Sequence, residues 1–532
     1  MKVLLAAVLV SMLMILAGCQ SVGGLDISKA LIDNQTAKSS ESKQAVSIEV
    51  VPSGAQLTDE DKEMIDLINS FSFSIDHAKV QDASTASMEG SLKFDGKSIP
   101  FHLSIDKSNL IFWVQGAKLP ISVSLDTLYS ESGLDIADLQ STTDQSLKLV
   151  KDVGTFLFKN ASNPAAISVT SVTDTVYGET LNLRKLHLEI RGDELRGLVK
   201  SFLTSVSKDK EGVKELISTL YDVYYPLYKS ETDAYRDGYD EYDEYDGDDE
   251  FESIGFGSLS SMLEDKEATV IYVTNQLQKE LNKLLVDYDK NVDAMFTDLP
   301  EMNELLGKDT VLAMDFLFDN QLKVRKQNID LTVQIPTSLE VPVKQVKVHS
   351  TSEVWNVNKT VTANKVDTSK GAFLIDLINA DEVTPGAVLR NFDDQSEVYR
   401  FMKEDMEITQ KYIYMSTIMD EDYEWYYDYD LPIDVNKTKM VPLRYVAEEL
   451  DAQLKWDGVL KQITVIDDIT GSTIVLKNGS NQALVDGVKV KLAEPVMNIE
   501  GTYYVPLRFI ASALGSTVQW DDESKAILIE RQ

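Results

Sequence analysis

The chain has 532 residues, 43% of them hydrophobic, with a formal net charge of −36 at pH 7; that apolar fraction excludes global disorder, and the length allows roughly two to four domains. So acidic a surface repels phosphate backbones, which excludes nucleic acid as a partner; it attracts cations and basic polymers and keeps an exported protein soluble. A single cysteine, Cys19, excludes an intramolecular disulfide and a cysteine-based metal site.

After Met1-Lys2 the chain is apolar from Val3 to Ala17, broken by Ser11. The run is too short for a hydrocarbon core about 30 Å thick and suits the apolar region of a signal peptide. It ends Leu16-Ala17-Gly18-Cys19, where small residues let an extended chain enter a peptidase cleft and a thiol follows. The segment resembles the bacterial lipobox. The resemblance implies a signal peptide over 1–18 and a diacylglyceryl, palmitate-type membrane anchor on Cys19. It also implies a folded mass outside the cytoplasm, on the cell membrane. Residues 19–45, rich in Ser, Gly, Lys and Gln, read as a flexible tether.

Residues 46–418 read as one large α+β domain. Period-2 patterns predict strands over 71–75, 87–94, 99–105, 110–115 and 121–125, punctuated by Gly90, Asp95-Gly96 and Gly116. A helix follows over 134–156, then strands over 166–173 and 181–190, a long helical region over 193–228 and an amphipathic helix over 270–288. Further strands cover 311–318, 324–335 and 343–350. Strands, helices and strands again argue for a curved antiparallel sheet covered by helices. The architecture is similar to the half-barrel of bacterial lipoprotein carriers, an analogy that implies a cavity for acyl chains between sheet and helices. The acidic, tyrosine-threaded stretch 231–256 reads as a surface loop, since dense like charges extend a chain. Asp233, Asp237, Gly238 and Glu244 stand at EF-hand-like spacing, but Tyr235 and Asp240 break the pattern. A second acidic stretch, 419–430, reads as a linker.

The C-terminal region repeats itself. Val441-Pro442-Leu443-Arg444-Tyr445-Val446-Ala447 returns as Val505-Pro506-Leu507-Arg508-Phe509-Ile510-Ala511, an offset of 64 that persists through Trp456/Trp520 and Ile463/Ile527. One supersecondary unit is used twice. Each proline sits where a strand hands over to a helix. Leu443, Val446, Ala447 and Leu450, and their copies, make one apolar helical face. Gly515 closes the second helix and Asp451 stands in its place in the first. Strands flank each helix, and between the copies Asn478-Gly479 and Asp486-Gly487 fit tight hairpins.

On Gly501-Thr502-Tyr503-Tyr504-Val505-Pro506-Leu507-Arg508, Gly515 and Trp520-Asp521, residues 431–532 resemble the copper amine oxidase N-terminal-like, or stalk, domain. The resemblance implies a small α+β module on a bacterial surface protein, with neither copper nor redox cofactor. Arg444 and Arg508 are expected to be structural, paired with a carboxylate or helix-end carbonyls. Trp456 and Trp520, following alternating strand residues, are expected in the core or at the domain edge; the alternative makes them exposed sugar platforms.

No catalytic residue stands out. His77, His102, His187 and His349 are too far apart for a helical two-histidine metal motif. No Asn-Tyr cofactor precursor exists. Gly90 to Ser98 places five residues, not the four of a phosphate loop, before Gly-Lys-Ser. Expected, then, is a non-catalytic, membrane-anchored surface lipoprotein, a binding or scaffold module of the cell envelope without cofactor or metal. Its partners would be the membrane through Cys19 and a wall polymer, lipid or cations. The alternatives are a carrier of lipid or apolar ligand and, third, an extracellular hydrolase. Replacing Cys19 by Ala should move the protein from the membrane to the soluble fraction; unchanged fractionation would refute the anchor.

Overall fold

The computed structural model describes residues 22–25, 27, 29–30, 34, 37–54, 57–125, 136–237, 263–375, 383–417, 431–522 and 525–531. The expected signal peptide, Cys19 and the linker at 419–430 lie outside these residues. Two compact units form, Met1–Ser108 with Tyr129–Lys365, and Asn109–Leu128 with Val366–Gln532. Residues 109–128 and 366–418 thus group with the C-terminal repeat, not with the large α+β domain the sequence suggested.

In the first unit, β1 (Ser40–Pro52), β2 (Ser72–Asp82), β3 (Thr85–Phe94) and β4 (Lys97–Ile105) make one meander. The strands β5 (Asn109–Val114) and β6 (Ile121–Ser124) belong to the second unit. A second meander comprises β7 (Ala166–Val176), β8 (Glu179–Arg191), β9 (Val311–Phe318), β10 (Val324–Gln334) and β11 (Val343–Trp355). The two meanders join where β1 pairs antiparallel with β11, from Glu41 opposite Trp355 to Pro52 opposite Val343. Register shifts at Ser42/Gln44, Ile75/His77, Val80/Asp82 and Val324/Lys326 are bulges that increase twist and curl the sheet. The result is the curved, half-barrel-like antiparallel sheet.

Alternation places Leu186, Leu188 and Ile190 of β8 in the core. They meet Leu312, Met314 and Phe318 of β9, and Leu195 and Leu198 of α3 (Leu195–Lys208). Before it come α1 (Asp59–Ser70) and α2 (Ile136–Asn160); after it α4 (Lys210–Asp237), α5 (Lys266–Val286) and α6 (Tyr288–Asp298). Phe156, Val206 and Val213 tie α2, α3 and α4 together, with Leu281 of α5 packed against them.

Several expectations are corrected. Leu25, Ile27 and Ala30 are fully buried in the sheet core and Ser40 opens β1, so the tether reading fails for this stretch; a polar composition hid a few well-spaced apolar side chains. The helical region 193–228 breaks at Asp209. Its carboxylate accepts hydrogen bonds from Gly212 N and Asn160 Nδ2, both at 3.1 Å, and pairs with Lys159 Nζ at 2.8 Å. Burial works to raise that carboxyl, but these donors hold it below the usual value. Helix α4 runs on to Asp237, so the first part of the acidic loop is helical; 238–262 lie outside the described residues. Gly90 sits within β3, inside the strand expected over 87–94, where a Cβ would collide with the Ser74 carbonyl oxygen.

In the second unit β12 (Phe373–Ile375) pairs parallel with β6, and β6 antiparallel with β5. β13 (Lys411–Ser416) follows, and then the repeat. The first copy is β14 (Ile433–Val435), β15 (Thr438–Pro442), α7 (Leu443–Glu449), β16 (Ala452–Asp457) and β17 (Gln462–Asp467). Strands β18 (Thr473–Lys477), β19 (Gln482–Val485) and β20 (Val488–Lys491) connect it to the second copy. That copy is β21 (Met497–Ile499), β22 (Thr502–Pro506), α8 (Leu507–Ala513), β23 (Ser516–Asp521) and β24 (Ala526–Arg531). Every boundary recurs at the offset of 64. Asp451 and Gly515, past the helix ends, both have positive φ, 56° and 69°. The strained aspartate is held because Lys411 Nζ pairs with its carboxylate at 2.9 Å.

The copies are related by a two-fold axis. Val441 pairs directly with Val505, its own equivalent, where β15 and β22 run antiparallel. Asp467 and Arg531 are also equivalents, each the last residue of its strand, and they meet. Arg531 Nη2 lies 2.9 and 2.8 Å from the two Asp467 carboxylate oxygens, and the side chains are 3% and 1% exposed. Arg531 Nη1 donates to Leu450 O at 2.6 Å, capping the end of α7. Replacing Asp467 by Ala leaves a buried guanidinium without counter-charge and should cost about 3–5 kcal/mol in urea unfolding. Asp467→Arg should cost at least as much, and adding Arg531→Asp to it should recover most of that loss; no recovery would refute pairing on the axis.

Candidate binding clefts

Two open clefts flank this axis. Cleft 1, about 890 Å³, lies between α7 and β16 and is lined by Arg444, Tyr445, Glu448, Leu454 and Trp456. The turn and strand Gly501–Tyr503 of the other copy complete its wall. Cleft 2, about 860 Å³, repeats the construction with Arg508, Phe509, Ser512, Val518 and Trp520, completed by Lys437–Lys439 of the first copy. All the lining positions of cleft 1 recur in cleft 2 at the offset of 64, taken forward for α7, β16 and β17 and backward for the hairpin. Each cleft therefore needs both copies.

Local sequence explains the placement. Leu454 and Trp456 share a face of β16 because side chains alternate along a strand. Leu454 packs on the core while Trp456, one step further out, is 55% exposed. Trp520 stands likewise on β23 and is 46% exposed. Both indoles lie at the domain edge and not in its core. Tyr503 tilts against Trp456 at a ring-centre distance of 5.8 Å; in cleft 2 the equivalent residue is Lys439, with Nζ 5.8 Å from the Trp520 ring centre.

The arginines differ from each other: Arg444 has the carboxylate partner expected of it and Arg508 does not. Arg444 pairs with Glu448 one helical turn on, at 2.8 Å, but on an exposed surface. Arg508 has no ion-pair partner among the described residues, because Ser512 stands where Glu448 would be. The sequence held this signal: the motif repeats while the residue four positions on does not.

Elsewhere each histidine lies on a strand beside a carboxylate: His77 by Glu41, His102 by Glu89, His187 by Asp315 and His349 by Asp330. Glu41 also accepts hydrogen bonds from Trp355 Nε1 at 3.2 Å and Asn356 Nδ2 at 2.8 Å, and Tyr177 stacks on Trp355 at 3.8 Å. Burial pushes the Glu41 carboxyl up, but its donors Asn356, His77 and Trp355 bring it below the ordinary value. Sequence reading missed this clasp, whose members lie on three strands and a turn. An apolar cavity of about 420 Å³ lies among α3, α6 and the turn after α6, lined by Leu195, Val199, Tyr288, Val292 and Phe296 and by no strand residue. That is not the position between sheet and helices that the carrier analogy implies. Among the described residues no group of three or more His, Cys, Asp or Glu could hold a metal ion. No helix among them is long and apolar enough to cross a membrane.

Residues 424–529 match the family model described as copper amine oxidase N-terminal domain. The match covers the repeat and its clefts, and that domain is non-catalytic in itself. No curated protein and no solved structure matches the chain. If the indoles are edge residues, Trp456→Ala and Trp520→Ala should each cost under about 1 kcal/mol in urea unfolding, as is usual for sites outside the core. Leu443→Ala, in the core, should cost about 2–5 kcal/mol. Equal costs would return the indoles to the core.

Proposed function

We propose that this chain is a non-catalytic, membrane-anchored, surface-exposed bacterial lipoprotein that serves as a binding module of the cell envelope. The observation that carries the reading is the pair of equivalent, solvent-open clefts, each with a half-exposed tryptophan beside an arginine. Exposed indoles in a concave, half-polar site suit a ligand with one apolar face and polar edges, and a large aromatic anchor contributes much of the binding energy at such surfaces. The lipobox-like leader ending at Cys19 supports a location on the outer side of the cell membrane. The family match of the repeat supports a module that carries no chemistry of its own. Cation attraction by the acidic stretches, and a supporting role for the first unit, fit beside it.

The test is co-sedimentation of the purified chain with isolated cell-envelope material. Binding should fall roughly thirtyfold in Trp456→Ala/Trp520→Ala, at about 2 kcal/mol for an anchor residue, with an unchanged melting temperature. Unchanged binding would refute the module. Stoichiometric lipid in organic extracts of detergent-free protein would favour the carrier reading instead.

A further inference from the structure

The two clefts share a shape but not a charge. Cleft 1 holds Arg444 and Lys455 against Glu448 and Glu449 and is balanced. At the equivalent positions of cleft 2, Glu448 becomes Ser512, Glu449 becomes Ala513, Gly501 becomes Lys437 and Tyr503 becomes Lys439. With Arg508 and Lys491, cleft 2 is lined by four cations and no carboxylate, in a chain of net charge −36. Two lining residues do contact carboxylates outside the lining: Asp434 pairs with Lys439 at 2.9 Å, and Asp522 accepts from Trp520 Nε1 at 2.9 Å. Arg508, Lys437 and Lys491 have no ion-pair partner among the described residues and are exposed.

We propose that cleft 2 binds an acidic pyranose glycan, with the sugar ring on the Trp520 face and its carboxylates on Arg508, Lys437 and Lys491. This rests on the reading of the repeat as a binding module and names the ligand class of one cleft. The indole supplies a flat apolar face for the C–H side of a pyranose, and its size suits a ring rather than an extended peptide. Arginine presents a planar fork that matches a carboxylate in two hydrogen bonds, while the lysines act as point charges along the same wall. A cationic pocket in an acidic protein also focuses anions locally where the global field would repel them. Cleft 1, its arginine already engaged by Glu448, is not selective for anions.

The test is calorimetric titration of the full chain with oligogalacturonate, a neutral galacto-oligosaccharide of equal length, and polyglutamate. Oligogalacturonate should bind, and more weakly as salt rises; the other two should bind at least roughly tenfold more weakly, one lacking the charged hydrogen bonds and the other the ring. Ser512→Glu rebuilds at Arg508 the pair that Arg444 makes with Glu448. It should weaken oligogalacturonate roughly tenfold without lowering the melting temperature. Trp520→Ala should weaken it as much, while Trp456→Ala should leave it unchanged. Absence of oligogalacturonate binding, equal binding of the neutral sugar, or indifference to Ser512→Glu would overturn the proposal. Equal binding of polyglutamate would overturn it in favour of an acidic-peptide site. If oligogalacturonate fails to bind but envelope binding still depends on Trp456 and Trp520, this inference falls and the binding-module reading stands.

Discussion

In the second unit the two copies of the repeat are arranged about a two-fold axis on which equivalent residues must meet. On that axis a position faces its own copy, so its chemistry has to be self-complementary or has to diverge. Val441 and Val505 meet in the antiparallel pairing of β15 and β22 and stay the same, because apolar side chains pack against themselves without penalty. Asp467 and Arg531 meet in a dry place and could not stay the same: two buried carboxylates or two buried guanidiniums would repel each other with no water to screen them. Divergence to one acid and one base turns the conflict into an ion pair in which Arg531 Nη2 reaches both Asp467 oxygens, while Nη1 caps α7 through Leu450 O. The same core then holds both helices and both sets of flanking strands.

The symmetry has a consequence for the clefts. Because each cleft is walled by a helix and strand of one copy and the hairpin of the other, building the two-fold core creates both at once. Their shape is fixed by buried residues that cannot change independently. The exposed charged residues of their lining can, since exposed charges contribute little to stability. Glu448 against Ser512 and Tyr503 against Lys439 are differences of that kind, and they make a balanced cleft and a cationic one from the same frame.

The first unit depends on a different constraint. Its two meanders are joined as one sheet where β1 pairs with β11, residues separated by some 300 positions, as between Glu41 and Trp355. Pairing at such separation is entropically costly to initiate, and the Glu41 clasp, with His77, Trp355 and Asn356, sits at the end of that seam where it fixes the register.

Sequence alone determined what is local or repeated. The strands over 311–318 and 324–335 were legible from alternation, and both copies of the repeat from the offset of 64 and the Pro and Gly at helix ends. So was the resemblance that the family model bears out over 424–529. The helix expected over 270–288 exists as Lys266–Val286, but it buries Thr269, Val270 and Thr274 and leaves Leu277 and Leu284 of the expected apolar face exposed. Three things were decided only by tertiary structure. The buried residues Leu25, Ile27 and Ala30 were hidden in polar composition, because burial depends on what a side chain meets and not on its neighbours in sequence. Strand β13 lies outside the repeat yet pairs along β24, an edge that exists only once the module has folded. The meeting of Asp467 with Arg531 and the sharing of each cleft between two copies follow from a rotation in space, and a linear offset records that a unit recurs without recording which of its residues the axis brings face to face.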